Sequence, residues 1–206
     1  MFSCGKLKLE GNCSYPDGEG KFPAVVLCHP HPLYGGSMDN NVILSVAAAL
    51  VKKSLIAFMF NFRGVGRSQG SFDGVAEQED VRAAVDWLVA QPEADTARLG
   101  VAGYSFGASA ALPEARHDPR IRALALLSPA LIDETQTAQL GDYPVPKLII
   151  SGAIDEFVSE KQLKLMEQKA AQPRQLVIVP GADHFWFGHE AALAEQVAAF
   201  FSVSLA

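Results

Sequence analysis

Short apolar runs rich in β-branched and aromatic residues alternate with longer stretches of helical spacing along almost the whole chain. Ala24 to Cys28, Ser54 to Phe62, Leu99 to Tyr104, Ile121 to Leu127, Lys147 to Ser151 and Gln175 to Val179 read as strands. Asn40 to Val51, Val75 to Ala90, Phe106 to Ala115, Glu160 to Ala170 and His189 to Phe201 read as helices between and after them, with Ser159 as an N-cap candidate. This alternation predicts βαβ units and a mainly parallel sheet. Ala24 to Cys28 is apolar at every position, as a strand must be when helices cover both of its faces. Lys6 to Cys13 instead alternates, which predicts an antiparallel N-terminal edge strand turning at Tyr15-Pro16-Asp17-Gly18. Pro113 lies inside a helical stretch, where its missing N–H predicts a break or kink. With 206 residues and no repeat or linker, one domain over residues 1–206 is expected.

Composition removes several classes of function. Hydrophobic residues make up 49% and charged residues 19%, which excludes disordered and coiled-coil chains. The net charge is −6 and no basic run exceeds Lys52-Lys53, so no row of phosphates can be neutralised and nucleic acid is not an expected partner. The longest apolar stretch, Val42 to Val51, is far shorter than the ~20 residues that span a bilayer. Met1 to Lys6 lacks a signal-peptide core, so a cytoplasmic protein without membrane insertion is expected. Cys4, Cys13 and Cys28 show no C-x-x-C spacing, which argues against a disulfide framework or a cysteine zinc site.

Two segments match G-x-S-x-G, the sharp turn that lifts a serine onto the end of a strand. Gly103-Tyr104-Ser105-Phe106-Gly107 follows the apolar Leu99-Gly100-Val101-Ala102 and precedes the small residues Ala108 to Ala111. Strand, turn and helix therefore agree at Ser105. Gly66-Arg67-Ser68-Gln69-Gly70 sits in a polar, glycine-rich stretch, so Ser68 reads as a loop serine.

A serine hydroxyl needs a base to take its proton, and that base needs an anion to orient it. Asp155 and His184 each follow the C-terminal end of an expected strand, the edge where open α/β sheets place their ligands. Glu156 and Asp133 are rival acids, Asp183 is expected to hold its loop, and His117 and His189 read as solvent-facing and helix-opening. His29 and His31 share a strand face, but no H-E-x-x-H or further ligand spacing accompanies them, so no metal site is expected.

With these segments in place, the chain resembles the α/β-hydrolase superfamily, and within it the small lidless bacterial serine hydrolases related to dienelactone hydrolase. The resemblance rests on Cys28-His29-Pro30-His31-Pro32-Leu33-Tyr34-Gly35-Gly36, on Asn61-Phe62-Arg63-Gly64-Val65-Gly66-Arg67-Ser68 and on the segments around Ser105, Asp155 and His184. Dienelactone hydrolases carry a cysteine where this chain has Ser105. Many members have aspartate at Asn61, here read as a loop-shaping residue.

The resemblance implies a three-layer α/β/α sandwich with a mainly parallel sheet. It implies an oxyanion hole from the backbone N–H of Phe106 and one donor among His31, Leu33 and Tyr34, with Leu33 at the family's usual position. In related enzymes a lid follows the strand at Ile121. Here Ser128 to Pro146 is too short for a separate cap domain, which leaves an open pocket lined by Leu33, Tyr34, Phe106, Phe157, Phe185 and Trp186. The implied activity is hydrolysis of a small carboxylic ester through an acyl-enzyme, without a cofactor. A thioesterase, amidase or acyltransferase would use the same three residues, and a binding protein on this fold is the reading from another class.

Overall fold

The computed structural model describes residues 1–130 and 133–206. A hairpin of β1 (Phe2–Cys4) and β2 (Leu7–Leu9) leads into β3 (Gly11–Ser14) and β4 (Phe22–Cys28). There follow α1 (Asn41–Lys52), β5 (Ile56–Phe60), α2 (Glu77–Val89), β6 (Ala94–Tyr104), α3 (Phe106–His117) and β7 (Ile121–Leu127). The chain ends with α4 (Glu134–Gln139), β8 (Lys147–Gly152), α5 (Glu160–Lys169), β9 (Arg174–Val179) and α6 (Glu190–Ser204). The seven-stranded sheet runs β3-β5-β4-β6-β7-β8-β9, with β3 antiparallel to β5 and every other pair parallel. The turns that follow β6, β8 and β9 therefore gather along one edge.

Side-chain alternation divides the core into two layers. Val25, Leu27, Ala102, Leu148 and Ile150 pack with Val42, Val46 and Leu50 of α1 and with Leu193, Val197 and Phe201 of α6. Ala24, Val26, Cys28, Val101, Leu124 and Ile149 pack with Val81 and Val85 of α2, Leu112 of α3, and Leu163 and Met166 of α5. Removing each such Val, Leu or Ile from water contributes about 1.5–3 kcal/mol, so both faces of the sheet anchor the edge that carries the site.

Two local expectations need correction. The edge strand expected over Lys6 to Cys13 is divided at Glu10. The Glu10 N–H donates to Ser68 Oγ (2.9 Å) and its carbonyl accepts from Asn61 N–H (2.9 Å), so loop groups replace a neighbouring strand there. Its carboxylate also binds Arg67 and Asn61. Ser68 is accordingly a buried bolt, its hydroxyl donating to the Asn61 carbonyl at 2.7 Å.

Pro113 does not end its helix, and α3 continues to His117. Proline cannot donate to the carbonyl four residues earlier. That carbonyl, on Ser109, accepts instead from the Gln136 side-chain amide at 2.8 Å. Among the described residues of the connection 128–146 there is only α4 and a short 3-10 turn over Leu140–Asp142, and no separate cap domain.

Candidate active site

Ser105 sits between β6 and α3 with φ 54° and ψ −116°, a conformation an L-residue adopts only under constraint from its surroundings. Its N–H donates to the Leu127 carbonyl (2.9 Å), which ties the turn to the end of β7. A Cβ at Gly103 would fall on the backbone carbonyl of Gly107, so the turn closes only around glycine.

Asp155 follows β8 and His184 follows β9, and their two loops cross at Gly152. A Cβ there would strike the Ala182 carbonyl. Across the crossing, Ala153 N–H donates to Val179 O (2.9 Å) and Ile154 N–H to Ala182 O (3.0 Å). The Tyr104 hydroxyl donates to the His184 carbonyl at 2.7 Å, which fixes the histidine backbone against the strand that carries the serine.

These constraints bring the three side chains into line. His184 Nδ1 lies 3.0 Å from Asp155 Oδ2, and His184 Nε2 lies 3.1 Å from Ser105 Oγ. The Asp155 side chain is fully buried, whereas Glu156 is exposed. Asp133 caps α4, its side chain accepting from Gln136 N–H, and Asp183 accepts the Trp186 N–H at 2.7 Å. Burial pushes the Asp155 carboxyl up. Hydrogen bonds from His184 and the Phe157 N–H, with the charge His184 can carry, outweigh burial and hold it below the usual carboxylate range.

Behind Asp155 runs a buried polar chain. Ser151 Oγ donates to Asp155 Oδ2 (2.9 Å), Ser128 Oγ lies 3.2 Å from Ser151 Oγ, and Trp186 Nε1 donates to Ser128 Oγ (3.1 Å). Ser128, Ser151 and Trp186 have no solvent exposure. Ser105, Ser128 and Trp186 supply three of the four positive-φ non-glycine residues among those described, so backbone strain is concentrated around this one constellation.

Trp186 therefore does not line the pocket as expected; its indole N–H is turned inward by the Ser128 hydroxyl. Ser128 and Ser151 were invisible as site residues because a serine at the end of a strand has no spacing signal of its own.

The loop after β4 also differs from expectation. Leu33 N–H donates to its neighbour His31 Nδ1 at 3.2 Å, and Tyr34 N–H donates to the His31 carbonyl at 3.1 Å. A 3-10 turn at Pro32–Tyr34, capped by the His31 side chain, thus uses the donor assigned to Leu33. The N–H of His31 has no acceptor among the described residues, and His31 lines the same cavity as Ser105. Phe106, the other expected donor, begins α3 directly after Ser105. His29 is buried, with Nε2 accepting the Phe62 N–H (3.1 Å) and Nδ1 donating to the Pro30 carbonyl (2.6 Å), and burial pushes its pKa down to about 4. Among the described residues no group of His, Cys, Asp or Glu is placed to hold a metal.

The cavity over Ser105 has a volume of 660 Å³, and Tyr34, Asn40, Tyr104, Phe157 and Phe185 line it together with Ser105 and His184. That size falls in the range of small-molecule sites. Tyr34 is 87% exposed, so the mouth is open on that side. No helix is long and apolar enough to cross a membrane among the described residues.

The X-Pro dipeptidyl-peptidase (S15) family pattern matches residues 5–139. An uncharacterized protein of Rickettsia prowazekii is 35% identical over 172 residues, covering 80% of this chain and 72% of that protein. An uncharacterized protein of Mycobacterium tuberculosis is 30% identical over 189 residues, covering 80% of this chain and 64% of that protein. Among solved structures, an α/β serine hydrolase homologue from Coxiella burnetii superposes with a TM-score of 0.84 at 35% identity, covering 93% of this chain and 90% of that one. A lidless α/β serine hydrolase from Xanthomonas campestris gives 0.80 at 32% identity, over 93% of this chain and 87% of that one. Est1E from Butyrivibrio proteoclasticus, with ferulic acid bound, gives 0.90 at 20% identity over 99% and 98%, a likeness of fold alone.

Proposed function

The chain belongs to the X-Pro dipeptidyl-peptidase (S15) family of α/β-hydrolase-type proteins, and from that premise we propose that it is a serine hydrolase that cleaves small carboxylic esters through an acyl-enzyme. The observation that carries this reading is the unbroken hydrogen-bonded line from Asp155 through His184 to Ser105.

Ser105 attacks the ester carbonyl while neutral His184 takes its proton at Nε2. Asp155 holds the Nδ1–H tautomer and stabilises the imidazolium that forms. The N–H groups of Phe106 and His31 receive the oxygen as it becomes negative, each contributing about 3–4 kcal/mol to the transition state. Phe106 adds the favourable field of a helix N-terminus. His184 then returns the proton to the departing alkoxide, and a water activated by the same nitrogen releases the acid. The open mouth beside Tyr34 supports water as the second substrate, and no step calls for a cofactor.

Labelling with an organofluorophosphonate, followed by peptide mapping, tests the assignment. The expected result is one modified residue, Ser105, with labelling and ester turnover both lost in Ser105→Ala while thermal unfolding is retained. Undiminished turnover in that variant would falsify the reading.

A further inference from the structure

Three exposed aromatic rings continue outward from the imidazole. The Phe157 ring centroid lies 4.6 Å from that of His184, and the Phe185 centroid lies 5.5 Å from it, edge to face. Phe157 and Phe185 meet at 6.0 Å and 86°, and Phe187 stacks on Phe185 at 6.0 Å and 29°. The three are 56%, 49% and 70% exposed, so they form a contiguous apolar shelf, the kind of surface that marks a binding site, and Phe157 and Phe185 of it line the cavity.

Chemistry decides which half of a substrate meets this shelf. When the acyl-enzyme forms, the Ser105 Oγ–carbon bond is made, the carbon–oxygen bond to the alcohol breaks, and His184 Nε2 delivers the serine's proton to that departing oxygen. The alcohol substituent therefore begins next to the imidazole, where Phe157 and Phe185 stand. Of the two oxyanion donors, the His31 N–H comes from the other loop, that of Pro30 to Gly36, and the Phe106 N–H from the start of α3.

Charge narrows the choice further. Among the described residues, no Lys, Arg, Asp or Glu lines this cavity. An ammonium or carboxylate held there would lose water and gain no counter-charge, which is strongly unfavourable. Release of an N-terminal dipeptide, the activity for which the matched family is named, requires a free amino group to be held near the scissile bond. Among the described residues no carboxylate faces the cavity to receive it.

We propose that the site takes uncharged esters whose alcohol half carries an aromatic ring, seated against Phe157 and Phe185. This rests on the ester-hydrolase reading and specifies its substrate. The test compares kcat/KM of the full-length wild type, Phe157→Ala and Phe185→Ala on benzyl acetate, methyl acetate and methyl phenylacetate, with fluorophosphonate labelling in parallel. Both side chains are half exposed, and each variant is checked by its unfolding midpoint.

The benzyl-to-methyl acetate preference should fall about three- to tenfold in each variant, the usual weight of an aromatic contact. Methyl phenylacetate, with its ring on the acyl half, should lose less. Monobenzyl succinate should be at least tenfold poorer than benzyl butyrate. An unchanged preference in both variants, a larger loss for methyl phenylacetate, or equal use of the succinate each overturns the proposal. Ser105 labelled but no ester cleaved overturns this proposal and leaves the nucleophile standing; no labelling at all overturns both.

Discussion

The Ser151 hydroxyl donates to Asp155 Oδ2 at 2.9 Å, on the same oxygen that His184 Nδ1 reaches at 3.0 Å. Because Ser151 spends its hydrogen on a carboxylate, it can only accept from Ser128, and Ser128 in turn accepts from the Trp186 indole. An indole N–H only donates and a carboxylate only accepts, so the chain polarises in one direction, from Trp186 to Asp155. It fixes the carboxylate that orients His184. Ser151→Ala should therefore lower kcat for an ester about tenfold, since a hydrogen bond to a charged group is worth about 1.5–3 kcal/mol and part of it appears in the barrier. Trp186→Phe, two links further away, should cost less in kcat and more in unfolding free energy. Steady-state kinetics and urea titration on both variants check the order; a larger kcat loss in Trp186→Phe would contradict it.

Asp155→Asn tests the acid itself. An amide in that place can present its NH2 to Nδ1 and favour the wrong imidazole tautomer, for which losses near ~10⁴ in kcat are known. Glu156→Gln, one residue away and exposed, should stay within twofold of wild type. Equal losses in the two would mean that Asp155 has no special part in orienting His184.

Much of this arrangement was readable because strand order alone dictates it. Apolar runs marked the parallel strands, and parallel strands deliver Ser105, Asp155 and His184 to one edge. What sequence could not supply were hydrogen bonds between distant segments. Glu10 is pulled out of its strand by Ser68 and Asn61, more than fifty residues later. Pro113 is tolerated because Gln136 replaces the missing donor. Trp186 looks like a pocket residue until Ser128 is seen to hold its indole inside. Leu33 loses its assigned role to a local competition: the His31 side chain, two residues before it, takes the same N–H.

Lys147 gives a prediction about stability. It is 1% exposed, its ammonium donates to the Tyr143 and Val145 carbonyls, and no carboxylate pairs with it among the described residues. Burial, aided by the charge of Arg174, pushes its pKa down from 10.5 to about 8. The unfolded chain thus binds this proton more tightly than the native one. Below about pH 8 the group penalises folding in full, and the penalty lifts as pH rises from about 8 toward 10.5. The buried thiols and tyrosines titrate in the opposite sense, so the clean quantity is the difference between wild type and Lys147→Met. That difference in unfolding free energy should grow in favour of wild type by about 1–3 kcal/mol between pH 7 and 10. Urea titrations at stepped pH measure it, and a flat difference would refute the assignment.

The oxyanion loop offers a test that isolates one hydrogen atom. His31 has φ −56°, within the range proline prefers, so His31→Pro removes the backbone N–H at a φ that the ring already accepts. The imidazole goes with it, and His31→Ala is the control that removes the ring and keeps the N–H. Both variants release Leu33 N–H from the imidazole that accepts it in the native loop. If Leu33 were the donor, the two variants would perform alike. If His31 N–H receives the oxyanion, His31→Pro should fall about 10²–10³ below His31→Ala in kcat, the cost of one lost donor. The loss should appear in kcat more than in KM, because the oxygen carries its full charge only in the transition state.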